Sequence, residues 1–238
     1  MKSLISVCLL SIELAIANGP AFAQSSGPVS SSADQTMQRG ISVDLAATNN
    51  AEPMPAADEQ EAWIVTVTAD GSLYFGTHSM TPDSLKEWMI GHPRGRDQKL
   101  YIKADARAHY AQVEKALDAV RSAAFKEAVL LTSQPSHAQT GSRVSPEGLA
   151  VSIAAPTDST SKPTVAVTLN GSEESVSVKI DNQNVGWSDL QGTLESILKS
   201  RVERAARVEA GQAVPYSDIV HMIDICRSIG AKAVLVAQ

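Results

Sequence analysis

Apolar and polar positions alternate with a period of two in "GISVDLAA" (40–47) and again in "GLAVSIAA" (148–155), each opened by Gly and closed by Ala-Ala. That is the pattern of a strand with one buried face. The alternation returns in "VTVTADGS" (65–72) and "VAVTLNGS" (165–172), where Asp70-Gly71 and Asn170-Gly171 are dipeptides that accept the positive φ of a hairpin turn. Strands are expected beyond both turns, at 73–76 and 176–180. The period then lengthens to that of a helix. In the first copy Thr81 is suited to cap and Pro82 to the first helical position, with Leu85, Trp88 and Met89 on the buried face. In the second, Ser188 and Gln191 form a capping-box pattern ahead of the apolar Leu190, Leu194, Ile197 and Leu198.

Each copy next returns to a strand, "KLYIKAD" or "RAARVEA", and enters a longer helix. The two long helices match at a spacing of 106 positions: Tyr110 with Tyr216, Asp118 with Asp224, Arg121 with Arg227, Ser122 with Ser228. Their apolar faces, Val113, Ala116, Leu117, Val120 and Ile219, Met222, Ile223, Cys226, follow i, i+3, i+4, i+7. Apolar runs "AVLLT" (128–132) and "AVLVA" (233–237) close the copies as buried strands. The order β-β-β-α-β-α-β, with right-handed crossovers, sets both helices on one face of a mixed sheet. The chain therefore reads as α/β (α+β), with two copies of a two-layer domain. The expected organisation is a signal peptide (1–23), a flexible tether (24–39), a first domain (40–135), a polar linker (136–147) and a second, divergent domain (148–238).

The first residues set the compartment. Lys2 precedes an apolar stretch, Pro20 breaks it, and Ala21-Phe22-Ala23 is the small-x-small pattern of signal cleavage, placing the cut between Ala23 and Gln24. The alternative is a retained anchor over 4–23, although that run is short for a spanning helix and contains Glu13. Cys8 leaves with the signal, so the mature chain keeps Cys226 alone and forms no internal disulfide. A net charge of −6, spread without a Lys/Arg block, gives nucleic acid nothing to bind.

The residues together resemble the periplasmic domain of the ExbD/TolR family, the partners of ExbB and TolQ in biopolymer transport. The likeness rests on Gly40, Val43, Asp44 and Leu45 as "G-x-x-V-D-L", on Val67, Asp70 and Gly71 as "V-x-x-D-G", and on Ala104, Asp105, Tyr110 and Val113 at the entry to the second helix. The first copy resembles the family along its whole length. The second keeps Ala210 and Tyr216 but has Gly211 and Ser152 where the family has Asp. The family's proton-carrying Asp in a transmembrane helix has no counterpart before Gly40, and Glu13 is the one candidate substitute.

The resemblance implies a non-enzymatic periplasmic component of a proton-motive-force-coupled system at the outer face of the inner membrane, working by protein contact. The implied partners are ExbB/TolQ-like and ExbD/TolR-like proteins, a TonB-like protein, or a second copy in a homodimer. Sheet edges at 40–47 and 148–155 are the expected tools, by strand addition. Two alternatives stay open: a peptidoglycan-binding, TolR-like module, and a membrane-anchored subunit using Glu13. Candidate contact residues are Val43, Asp44, Leu45, Asp105, Tyr110 and Tyr216. Against contact, the tyrosines suit packing anchors and Asp105 suits a helix cap. The pairs Asp118/Arg121 and Asp224/Arg227 read as solvated helix faces. The five His show no ligand spacing, and no nucleophile elbow, P-loop or dinucleotide fingerprint is present, so neither metal, cofactor nor catalysis is expected.

Overall fold

The computed structural model describes residues 40–92, 95, 98–133, 145–158 and 164–237. The expected signal peptide with Ala23 and Gln24, the tether and most of the linker lie outside the described residues. The first half runs β1 (Glu52–Pro53), a 3-10 turn (Pro55–Asp58), β2 (Trp63–Val67), β3 (Leu73–Phe75), β4 (His78–Met80), α1 (Pro82–Gly91), β5 (Leu100–Ala104), α2 (Tyr110–Ser122) and β6 (Glu127–Thr132). The second runs β7 (Glu147–Ala154), β8 (Val165–Ser172), β9 (Ser175–Ile180), β10 (Gln183–Val185), α3 (Trp187–Lys199), β11 (Ala205–Ala210), α4 (Tyr216–Ser228) and β12 (Lys232–Val236). From β2 and from β8 onward the succession of elements is the same.

All the strands join one mixed sheet in the order β10-β9-β8-β11-β12-β7-β6-β5-β2-β3-β4, with β1 attached to β7. The halves meet where β6 and β7 pair antiparallel over six residues, from Glu127↔Ser152 to Thr132↔Glu147. Alternation along each strand sorts the side chains. Val65, Ile102, Leu130, Val151, Val167, Val208 and Leu235 face one continuous core with Leu85, Leu117, Leu194 and Ile223 from the four helices. Burying each such side chain contributes roughly 1.5–3 kcal/mol. On the other face Ile64, Tyr101, Val129 and Leu131 are covered by Met54 and Ala57 of the segment before β2. The matching face of the second half carries Ala150, Ser152, Ala166, Thr168 and Arg207, none of them buried.

The mixed α/β fold and the helical faces agree with the sequence pattern. Thr81 caps α1, accepting from the Ser84 N–H while the Ser84 hydroxyl accepts from the Thr81 N–H, with Pro82 at the start. Three details differ. Segment 40–47 is not a strand: its backbone pairs with its neighbours as isolated bridges, at Leu45 (to Asp105) and Ala47 (to Ser133). β7 has taken the edge of β6 that this segment would otherwise line. α3 begins at Trp187 after Gly186, so Ser188 and Gln191 are already inside the helix and form no capping box. Short edge strands β4 and β10, three residues each, were too brief to leave a period.

Candidate functional site

The two long helices meet head to head, and the chain segments that lead into them pair with each other. The Tyr110 N–H donates to the Val214 carbonyl (2.8 Å) and the Tyr216 N–H to the Ala108 carbonyl (2.9 Å). The Ala111 N–H donates to the Gln212 carbonyl (3.1 Å) and the Ser217 N–H to the Ala106 carbonyl (3.0 Å). Each bond has a mate 106 residues away, so the contact is reciprocal, as between the two subunits of a dimer with a twofold axis. The first N–H groups of a helix have no partner within it. Here each half supplies the carbonyls that the other half's helix requires, and His109 bridges to Pro215 between them.

Both tyrosines are fully buried beside this seam. The Tyr110 hydroxyl donates to the Val236 carbonyl (2.8 Å), tying α2 to the last strand of the other half. Burial pushes the Tyr110 hydroxyl's pKa far up, with the charge of Glu114 adding to the effect, and burial does the same at Tyr216. Neither ring offers surface to another molecule in this arrangement; both act as anchors. Cys226 is likewise buried, its thiol pushed up to about 12 by desolvation, which leaves it unreactive.

Residues 41–54 form a strap that crosses from one half to the other. The Lys103 ammonium donates to the Ile41 carbonyl (2.9 Å). Asp105, 3% exposed at the end of β5, accepts from the N–H of Asp44 (3.1 Å) and from the N–H (3.1 Å), Nε (2.9 Å) and Nη2 (3.1 Å) of Arg107. Arg107 also reaches the Asp44 carboxylate (3.0 Å). The Arg107 hydrogen bonds hold the Asp105 carboxyl down at about 2, against the desolvation that opposes them. The strap then passes the Thr48–Thr132 hydroxyl pair (2.9 Å) and enters the second half. There the buried Asp224 accepts from the N–H of Asn49 (3.0 Å) and of Asn50 (2.9 Å), and Arg227 pairs with Glu52.

Three expectations change. Asp105 does not cap a helix; α2 starts after His109, and the aspartate instead secures the strap. Asp224 and Arg227 do not pair with each other but share the strap, whereas Asp118 and Arg121 do form the i, i+3 pair. Of the candidate contact residues, Asp44 is exposed and Val43 and Leu45 are half-buried along the strap. Strand 148–155, expected to offer a free edge, is central in the sheet between β6 and β12. Sequence reasoning missed Lys103, Arg107 and Asp224. The signal available was asymmetry: Asp105 and Arg107 face Gly211 and Ala213 in the other copy, so only one copy can hold a strap in this way.

No helix among the described residues is long and apolar enough to cross a membrane, and no His, Cys, Asp or Glu cluster among them is arranged to hold a metal. Comparison with curated proteins finds no match, and neither does comparison with solved structures. Residues 29–135 match the family described as biopolymer transport protein ExbD/TolR, a span that includes the strap, Asp105 and the whole of α2. Over residues 29–135, the chain is similar to the ExbD/TolR family of biopolymer transport proteins.

Proposed function

We propose that this chain is a non-enzymatic component of an ExbB/ExbD (TolQ/TolR)-type energy-transducing transport system, acting in the periplasm through protein contacts. Its two halves stand in for two copies of a single-domain member. The observation that carries the reading is the reciprocal seam, in which four backbone bonds obey one 106-residue repeat. A duplicated gene that kept an intersubunit contact would produce this arrangement, and the family match lies in the first half.

Catalysis has no support in the chemistry of the described residues. Four of the groups with displaced pKa values serve the fold: Asp105 is bound by Arg107, while Tyr110, Tyr216 and Cys226 are sealed in the core. The test is capture of a detergent-solubilised ExbB/ExbD-type complex from the same cell by the immobilised mature chain. Retention of both proteins is expected, and failure to retain either removes the reading. Mass and N-terminal sequence of the periplasmic protein should show a chain starting at Gln24. An intact chain in the membrane fraction would instead assign 4–23 to an anchor.

A further inference from the structure

The twofold likeness of the halves extends to the anchor at the far end of the strap. On α4 the Asp224 carboxylate accepts from the N–H groups of Asn49 (3.0 Å) and Asn50 (2.9 Å), and Arg227, three residues on, pairs with Glu52. The mates of these two side chains, 106 positions earlier, are Asp118 and Arg121 on α2. Among the described residues the side chains of that pair bond only to each other. Asp224 is 4% exposed beneath the strap, whereas the Asp118 side chain is 36% exposed. The Arg121 Nε is buried without a hydrogen-bond partner among the described residues. Beside the pair runs a groove of about 290 Å³, lined by Pro82, Ala111, Glu114, Lys115, Asp118 and Gln212.

The described residues of the second copy supply no strap to this pair. After Ala154-Ala155, Thr157 and Asp158 stand where Asn49 and Asn50 follow Ala46-Ala47 in the first copy. The Asp158 Oδ2 accepts from the Ala155 N–H (2.8 Å), and the carbonyls of Ala155 (3.2 Å), Pro156 (3.1 Å) and Asp158 (2.9 Å) accept from the Arg207 guanidinium. These bonds turn the chain back at the point where the first copy runs on to the helix. The entry anchor has no mate either, since Gly211 stands in the place of Asp105. The far anchor is thus the part of the strap's track whose side chains the repeat preserves.

We propose that the Asp118/Arg121 face of α2 docks an extended segment of a partner protein that has the strap's own chemistry: two successive main-chain N–H groups and, two residues on, a carboxylate. The N–H groups bond to Asp118, and the carboxylate pairs with Arg121, whose Nε gains an acceptor. Helical rise sets Asp118 and Arg121 about 4.5 Å apart along the axis, the same spacing as Asp224 and Arg227. Opening the Asp118–Arg121 pair costs little, because a half-exposed ion pair contributes little to stability. Glu114 and Lys115 offset each other in the groove, so recognition rests on the placing of donors and acceptors rather than on net charge. The strap of a second copy is a poorer occupant, since it would have to leave an equivalent anchor of its own. This deepens the contact-protein reading and rests on it for the partner's identity alone. The peptide experiment therefore stands or falls separately from capture of the membrane complex.

The test is titration of the 15N-labelled chain with the capped peptide Ac-Ala-Thr-Asn-Asn-Ala-Glu-Pro-NH2, the sequence of residues 47–53. Amide signals of 114–122 should shift while those of 220–228 stay, because the chain's own strap holds Asp224. Asp118→Ala, at a half-exposed position, and replacement of the peptide's Glu by Gln should each weaken binding by about fivefold. The Gln peptide should lose nothing further in Arg121→Ala, and a peptide N-methylated at both Asn should not bind. No shift up to millimolar peptide, shifts confined to 220–228, or unchanged affinity in Asp118→Ala would each overturn the proposal. A dimer of the free chain that Asp118→Ala dissolves would give the face to a second copy and overturn it too.

Discussion

Asp105 shows how much one buried carboxylate holds together. It accepts four hydrogen bonds, one from the strap and three from Arg107, and its folded pKa of about 2 lies below the usual value for an aspartate. The unfolded chain therefore binds this proton more tightly than the folded protein, so the group stabilises the fold fully above about pH 4, and the contribution fades as pH falls toward 2. The gap corresponds to about 2 kcal/mol. Urea unfolding near neutrality should show Asp105→Asn less stable than wild type by about that amount, with the two proteins converging near pH 2. Equal stabilities at neutral pH would show the strap to be held elsewhere. The sequence displayed Asp105 within a family-like motif but not its partners. Asp44 lies 61 residues away in contact that no local period records.

Among elements, the β6–β7 ladder is the one on which the shape depends, and its fit is tight at Gly148. A Cβ there would meet the Val129 Cγ1 at 2.6 Å and the Leu130 carbonyl oxygen at 2.8 Å. Gly148→Ala should therefore destabilise the protein by roughly 1–3 kcal/mol, as overpacking does, read from the denaturation midpoint. A variant as stable as wild type would mean that the ladder relaxes freely. Leu117→Ala, at a fully buried position of α2, should cost about 2–5 kcal/mol by the same measurement. The helices were legible because Val113 to Val120 and Ile219 to Cys226 repeat at 3.6 residues. The fate of 40–47 was not, because its alternation matches that of 148–155 and pattern alone does not say which of two similar strands takes a shared edge.

For the whole molecule, the continuous core and the seam predict that both halves unfold together. Trp63 and Trp88 report on the first half and Trp187 on the second, so the chain carries its own probes. Urea curves followed by fluorescence in Trp187→Phe and in the double variant Trp63→Phe, Trp88→Phe should each show one transition, with midpoints that differ only by the cost of the substitutions. Two separated transitions, with the first half's probes leading or lagging by far more than that, would show independent domains. The succession of elements in each half was readable from the chain. Their fusion into a single sheet was not, since the pairing of β6 with β7 and of 106–111 with 212–217 joins segments whose own patterns are satisfied either way.

The geometry of the junction carries one more consequence. Thr132 lies directly opposite Glu147, so the last strand of the first half and the opening strand of the second end side by side. The covalent connection between them spans no distance that the fold needs bridged. A protease cut between Ser133 and Ser145 should leave two fragments that co-migrate on a native gel and part only in denaturant. What the joined chain guarantees is stoichiometry: one half that carries the strap-holding Asp105 and one that does not, in every molecule, a pairing of unlike members that free association of separate copies would produce only part of the time.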